Sequence, residues 1–352
     1  MNARPWGSKA LGLLVPIVLA FLVALVLLQL AGAPPFEALS LLWKGSAGSA
    51  AKISDTLAAW VPLTLAAAGL VVTFAAGLWN IGIEGQIVVG AIAATWVARE
   101  APGPAFVLIP LMFVAGVVGG ALWALLAGVL KTRGGVNEIF GGLGLDFVAS
   151  GLAIYLIIGP WKRAGIASTS GTDLFRKEAW LPTVGAAQLP AIAVGLTLVA
   201  VALVYVLMRG TRFGLRLNAV GKNARSARLM GIPTERYTLG AFALCGALAG
   251  LAGAVQVSGV FHKLVPSVSG GYGFLGILVV LLAGYRAAWI APIALFFAAV
   301  AVGSTQLSLR LGLDSSLGGV LQGVLVLLVV LAGGWRARRA RRAGVTTVSE
   351  EA

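Results

Sequence analysis

Long apolar runs separated by short polar gaps dominate the chain. Runs of about 18 or more apolar residues, enough to cross a bilayer, predict spans at roughly 10–31, 57–76, 105–130, 139–159, 190–208, 238–258, 290–308 and 317–333. Two further segments, Ile81–Ala98 and Gly273–Gly284, are short and interrupted by glycine, and bring the expected number of transmembrane helices to about ten. A signal peptide is the alternative for the first run, but its apolar stretch of about 20 residues exceeds the ~7–15 of a signal core. An uncleaved first helix is therefore expected.

The short segments fall at similar places in two blocks of four spans, 57–159 and 238–333, which the intervening spans put in opposite orientations. This pattern predicts two inverted four-helix blocks with broken helices, an architecture of transporters, because a broken helix exposes backbone groups that need a cavity or a protein surface. Glycine serving only tight helix packing is the simpler alternative.

Composition agrees with the pattern: 59% of the 352 residues are hydrophobic, 11% are charged, and 48 are glycine. An all-α integral membrane protein is expected, and a water-soluble enzyme is not. The formal net charge of +14 would suggest nucleic acid in a soluble chain. Here the charges lie between the apolar runs and act as topology determinants. With the N-terminus inside, seventeen Lys and Arg fall on the cytoplasmic side and nine outside. The positive-inside rule thus predicts a multi-pass protein of the cell inner (plasma) membrane with both termini cytoplasmic, in contact with lipid and with no nucleic-acid partner. The single cysteine, Cys245, excludes a disulfide framework.

Function is sought first where the length arithmetic leaves no room. Two spans of about 20 residues consume nearly all of Leu57–Ala98, so the link from Gly77 to Gln86 has no space for an exposed loop. Glu84 and Gln86 must lie in or just under the membrane, where a carboxylate requires a cavity or a partner. Asn80 and Glu84, four apart, would share a face if the segment is helical. The alternative is a glycine-rich turn whose Glu reaches interfacial water. Asp146, about two turns into its span, is a second intramembrane candidate. Tyr272 and Phe274, at the start of the short eighth segment, and Trp79 in the first block offer rings that could stack on a base or sugar, although interfacial anchoring accounts for many tryptophans.

The basic segment 209–237 contains a capped helix. Asn223 suits an N-cap, Ala224–Met230 are helix formers, Gly231 suits a C-terminal cap and Pro233 stops continuation. Arg225 and Arg228 beside Ala227, Leu229 and Met230 form a mixed surface fit for a groove on another protein. Topology retention or contact with anionic lipid is the alternative.

These residues resemble a known family. Gly77-Leu78-Trp79-Asn80-Ile81-Gly82-Ile83-Glu84-Gly85-Gln86 is similar to the Asn-Ile-Gly-x-Glu-Gly-Gln signature of permease subunits in ABC importers for nucleosides and simple sugars, a branch of the ribose and branched-chain amino-acid permease family. Gly135-Val136-Asn137-Glu138-Ile139 resembles the opening of their fifth span, and Gly214–Ile232 their large cytoplasmic loop. The resemblance implies one transmembrane permease domain over 1–352, comprising a first helix (10–31), repeat one (57–159), a coupling loop (209–237), repeat two (238–333) and a basic tail (334–352). It further implies that Asn223, Ala224, Arg225, Ala227, Arg228, Leu229, Met230 and Gly231 form the coupling helix that docks on an ATP-hydrolysing subunit. The family commonly has Asn near Asp146, so contact with substrate, pairing with a basic residue and access to water all stay open there.

No G-x-x-x-x-G-K-[ST] loop occurs, so ATP is expected to be used by a partner subunit. No catalytic set or metal site is apparent; the only histidine, His262, stands without ligand neighbours. The expected chain binds no cofactor and works with an ATP-binding subunit, a second homologous permease in a heterodimer and an extracytoplasmic solute-binding protein. An ion-coupled secondary carrier is the alternative, since it shares inverted repeats and broken helices.

Overall fold

The computed structural model describes residues 34–163, 169–312, 314 and 316–331, with isolated positions before them. The expected first span lies largely outside these residues and the basic tail entirely so. The described residues form helices and loops, with one isolated antiparallel bridge between Val184 and Leu189.

The helices are α1 (Pro35–Ala47), α2 (Ala50–Ala75), α3 (Ile83–Glu100), α4 (Ala105–Thr132), α5 (Glu138–Ile158), α6 (Ala191–Gly210), α7 (Arg212–Lys222), α8 (Ala224–Leu229), α9 (Thr234–Val255), α10 (Tyr272–Leu282), α11 (Ile290–Leu311) and α12 (Leu317–Leu331). Six of the ten expected spans are met by helices long and apolar enough to cross a bilayer: α2, α4, α5, α6, α9 with its π-helical extension Gln256–Phe261, and α11 with the turn before it. Of the others that fall within the described residues, α10 and α12 are shorter and α3 is more polar. α3 carries Glu84, Arg99 and Glu100 within 18 residues. α10 has 11 residues, about 16 Å of helix against a ~30 Å hydrocarbon core.

The chain divides into two compact units, 53–298 and a smaller one formed by 1–52 with 299–352. In the smaller unit Leu28, Ala38 and Leu307 are fully buried against Leu41, Leu42, Leu311 and Leu321.

The core of the larger unit is built around α9, which packs on both α3 and α4. Glycines make this possible. A Cβ on Gly250 would lie 2.0 Å from the Gly116 carbonyl oxygen, and one on Gly120 would lie 2.2 Å from that of Gly246. The spacing of four in Gly116/Gly120 and Gly246/Gly250 puts each pair on one helix face, so the backbones meet directly, as in close-packed membrane helices. Packing therefore accounts for these glycines. α2 is buried along most of its length, from Ala59 through Thr73.

The 169–190 loop closes one end of this core. Thr172, Phe175 and Leu181 donate backbone hydrogen bonds to Leu264, His262 and Ser258. The π-helical turn supplies the Ser258 carbonyl, whose oxygen also lies 2.9 Å from Nδ1 of His262. The His262 ring stacks on Trp180 with centroids 4.0 Å apart, so the only histidine serves a structural contact.

Candidate functional site

The link between α2 and α3 starts at Gly77, whose φ of +74° turns the chain back. Helix resumes only at Ile83, so Asn80 precedes the helix and Glu84 lies within it. The shared helical face expected for the two is not formed. Their side chains instead point to different partners.

Asn80 and Gln86 close the link on itself. The Asn80 amide nitrogen donates to Gln86 Oε1 at 3.2 Å, and Gln86 Nε2 donates back to Asn80 Oδ1 at 3.0 Å. Asn80 also approaches Cys245 Sγ at 3.1 Å, which ties the link to α9. Both amides are buried, and satisfied polar pairs of this kind fix a conformation well. Trp79, by contrast, is 42% exposed and tilts against Phe74 with centroids 5.1 Å apart.

Glu84 is buried and reaches across to the short helix of the second block. Its Oε1 accepts the Phe274 backbone N–H at 3.1 Å, and the Ser269 hydroxyl and Gly273 N–H face the same carboxylate. Phe274 is the third residue of α10, whose own N-cap residue, Gly271, has no side chain to offer. Glu84 thus caps α10 from a distance, placing an acceptor and negative charge at the positive end of the helix. Tyr272, Phe274 and Glu84 are brought together at this break; Tyr272 is half-buried and the Phe274 ring is 47% exposed.

Asp146 does the same for α3. Its Oδ1 accepts the Gly85 N–H at 2.7 Å, again at the third helical residue. The partner found for Asp146 is the first turn of α3, a role outside the alternatives that the sequence left open. Its Oδ2 and Trp123 Nε1 are buried without a partner among the described residues, and both residues lie beside Gly85. Two carboxylates therefore stand in series: Asp146 holds the start of α3, and Glu84 on α3 holds the start of α10.

The segment after α6 folds as two helices, α7 and α8. Thr211 caps α7 and Asn223 caps α8, accepting the Ser226 N–H at 3.0 Å. Gly231, with φ of +79°, ends the turn in the left-handed region. Arg225, Leu229 and Met230 are exposed, the last two above 80%. Ala227 is buried and so lies under the mixed surface, not on it. Arg228 reaches Thr234 Oγ1 at 3.2 Å. Sequence reasoning missed Gly221, on the last turn of α7: a Cβ there would lie 2.1 Å from the Ala75 carbonyl oxygen. The α7–α8 segment thereby touches the turn that leads into Asn80 and Glu84.

A family model described as branched-chain amino acid transport system / permease component matches residues 52–330. The chain belongs to this family. Curated relatives of the permease include the glucose ABC transporter permease protein TsgB13 of Haloferax volcanii, 36% identical over 88% of this chain and 83% of that protein. The guanosine ABC transporter permease protein NupP of Bacillus subtilis is 26% identical over 90% of this chain and 91% of its own. The nucleoside ABC transporter permease protein NupB of Lactococcus lactis is 29% identical over 83% and 81%. Further permease proteins of the first and third organisms, TsgC13 and NupC, match at 29% and 26% identity. The family and the apolar helices make this chain a multi-pass membrane subunit.

Proposed function

We propose that the chain is the membrane-spanning subunit of an ATP-driven importer for nucleosides or related sugar-like solutes. The observation that carries this reading is similarity, over more than four-fifths of their length, to three permease proteins named for glucose, guanosine and nucleosides. ATP is bound and hydrolysed by a partner subunit, and an extracytoplasmic binding protein delivers the solute. The pairs TsgB13/TsgC13 and NupB/NupC, each from one organism, support assembly with a second homologous permease.

In this reading both termini are cytoplasmic and the blocks 57–159 and 238–333 are inverted repeats. α8 is the coupling helix, presenting Arg225, Leu229 and Met230 to the ATPase. Its movement reaches the helix break through Gly221 and the Ala75–Gly77 turn. The solute pathway runs beside the broken starts of α3 and α10, where Trp79 and Phe274 offer exposed rings. An ion-coupled carrier fits less well, because Glu84 and Asp146 are already committed to backbone N–H groups.

The test is reconstitution with the cognate ATPase, second permease and binding protein, followed by uptake of a panel of nucleosides, ribose and glucose. ATP-dependent uptake of a nucleoside or sugar is expected. Uptake driven by an ion gradient without ATP would overturn the assignment.

A further inference from the structure

A second polar site adjoins the last turn of α2, at the end of the larger unit that carries α8. The last turns of α2 and α6, together with α7 and the 285–289 turn, enclose a cavity of about 450 Å³. Arg209, Arg286, Tyr205, Tyr285, Trp289 and Asn218 line it, and no Asp or Glu does so among the described residues. Neither arginine is in an ion pair among those residues. Arg209 sits over the Tyr205 ring, 5.4 Å from its centroid, and donates to its hydroxyl at 2.7 Å. These partners are neutral, so the positive charge of the cavity is uncompensated.

The 285–289 turn is shaped to hold its residues there. Tyr285 has φ of +63°, unusual for a bulky side chain, and its ring meets Phe74 edge-on with centroids 5.9 Å apart. This conformation directs the chain so that Arg286 follows at the cavity. Tyr285 and Trp289 are both about half exposed.

We propose that the cavity binds the phosphate of an anionic phospholipid headgroup. Guanidinium forks match pairs of phosphate oxygens, and Tyr and Trp rings favour the headgroup level of a bilayer. Basic pockets between helices near the membrane surface recognise acidic lipids through this combination. Val71 and Met208 add apolar wall, suited to glycerol and the first acyl carbons and of no use to a free phosphate ester. The site requires neither a particular solute nor a particular leaflet. Because α7 forms one wall and runs into α8 at Asn223, an occupied cavity braces the base of the α8 segment.

Native mass spectrometry of the full chain in mixed phosphatidylglycerol and phosphatidylcholine tests the proposal. Selective retention of phosphatidylglycerol is expected. Arg209→Gln and Arg286→Gln should each weaken it about fivefold, while Lys222→Gln, exposed at the end of α7 and outside the cavity, should change it by less than about twofold. Asn218→Asp, nearly isosteric, should weaken it by placing negative charge in the site. Equal retention of the two lipids, or unchanged selectivity in the double arginine variant and in Asn218→Asp, would overturn the site. Displacement of the lipid by millimolar glycerol 1-phosphate would overturn the lipid assignment in favour of a soluble anion.

Discussion

The carboxylate of Glu84 accepts the backbone N–H of Phe274, 190 residues further along the chain, and so supplies the N-terminal cap that α10 cannot provide for itself. A residue of the first block thereby sets where a helix of the second block begins. Glu84→Gln keeps the acceptor and removes the charge, which is worth roughly 0.3–2 kcal/mol at a helix start. Glu84→Leu removes the acceptor and leaves the partly buried Phe274 N–H without it, at up to about 1–3 kcal/mol. Thermal unfolding of the purified chain should rank wild type above Gln and Gln above Leu, with uptake following the same order. A Leu variant of native stability and full uptake would remove Glu84 from both roles.

Asp146→Asn should be well tolerated, because an amide oxygen can accept the Gly85 N–H as a carboxylate does. Asp146→Leu should lose about 1–3 kcal/mol for the stranded N–H. Equal unfolding midpoints for the two variants would show that the cap contributes nothing.

Gly250→Ala places a methyl group 2.0 Å from a backbone oxygen that no rotamer change can clear. Separation of α4 and α9 should cost on the order of 1–3 kcal/mol or more. The check is yield and unfolding temperature beside Gly195→Ala, where the added carbon meets nothing within 4 Å.

Arg225→Glu with Arg228→Glu should abolish solute uptake and capture of the ATPase while leaving the unfolding temperature of the isolated chain nearly unchanged, since both residues are exposed and only one hydrogen bond among the described residues, from Arg228 to Thr234 Oγ1, is lost. Asn223→Ala should lower uptake more mildly, through loss of a cap worth about 1 kcal/mol. Normal ATPase capture by the double variant would take α8 out of the mechanism.

Gly221→Ala separates transmission from docking. Its methyl group would press on the Ala75 carbonyl, so ATPase capture should persist while uptake per ATP hydrolysed falls. Parallel loss of both would mean that the contact merely holds α7 in place.

What was legible in the sequence was what short separations decide. The α8 caps could be read because Asn223 meets Ser226 three residues on and Gly231 ends the same turn. That Glu84 and Gln86 do not sit on an exposed loop followed from length alone, since two spans of about 20 residues left no room for one. The shared face of Asn80 and Glu84 failed because the seven residues between Ala75 and Ile83 are not helical, and a periodicity argument holds only inside a helix. The partners of Glu84 and Asp146 lie 190 and 61 residues away. No local pattern encodes such a meeting. The contact of Gly221 with Ala75 was hidden for the same reason, a glycine in a helix being equally compatible with solvent, lipid or another backbone.

The serial arrangement of the two caps imposes an order on biosynthesis. As the chain leaves the ribosome, Gly85 emerges 61 residues before Asp146, so the start of α3 is made before its cap, with α4 and the first turns of α5 between them. Phe274 emerges into the opposite situation, with Glu84 already synthesised. The first break is thus the vulnerable one during insertion.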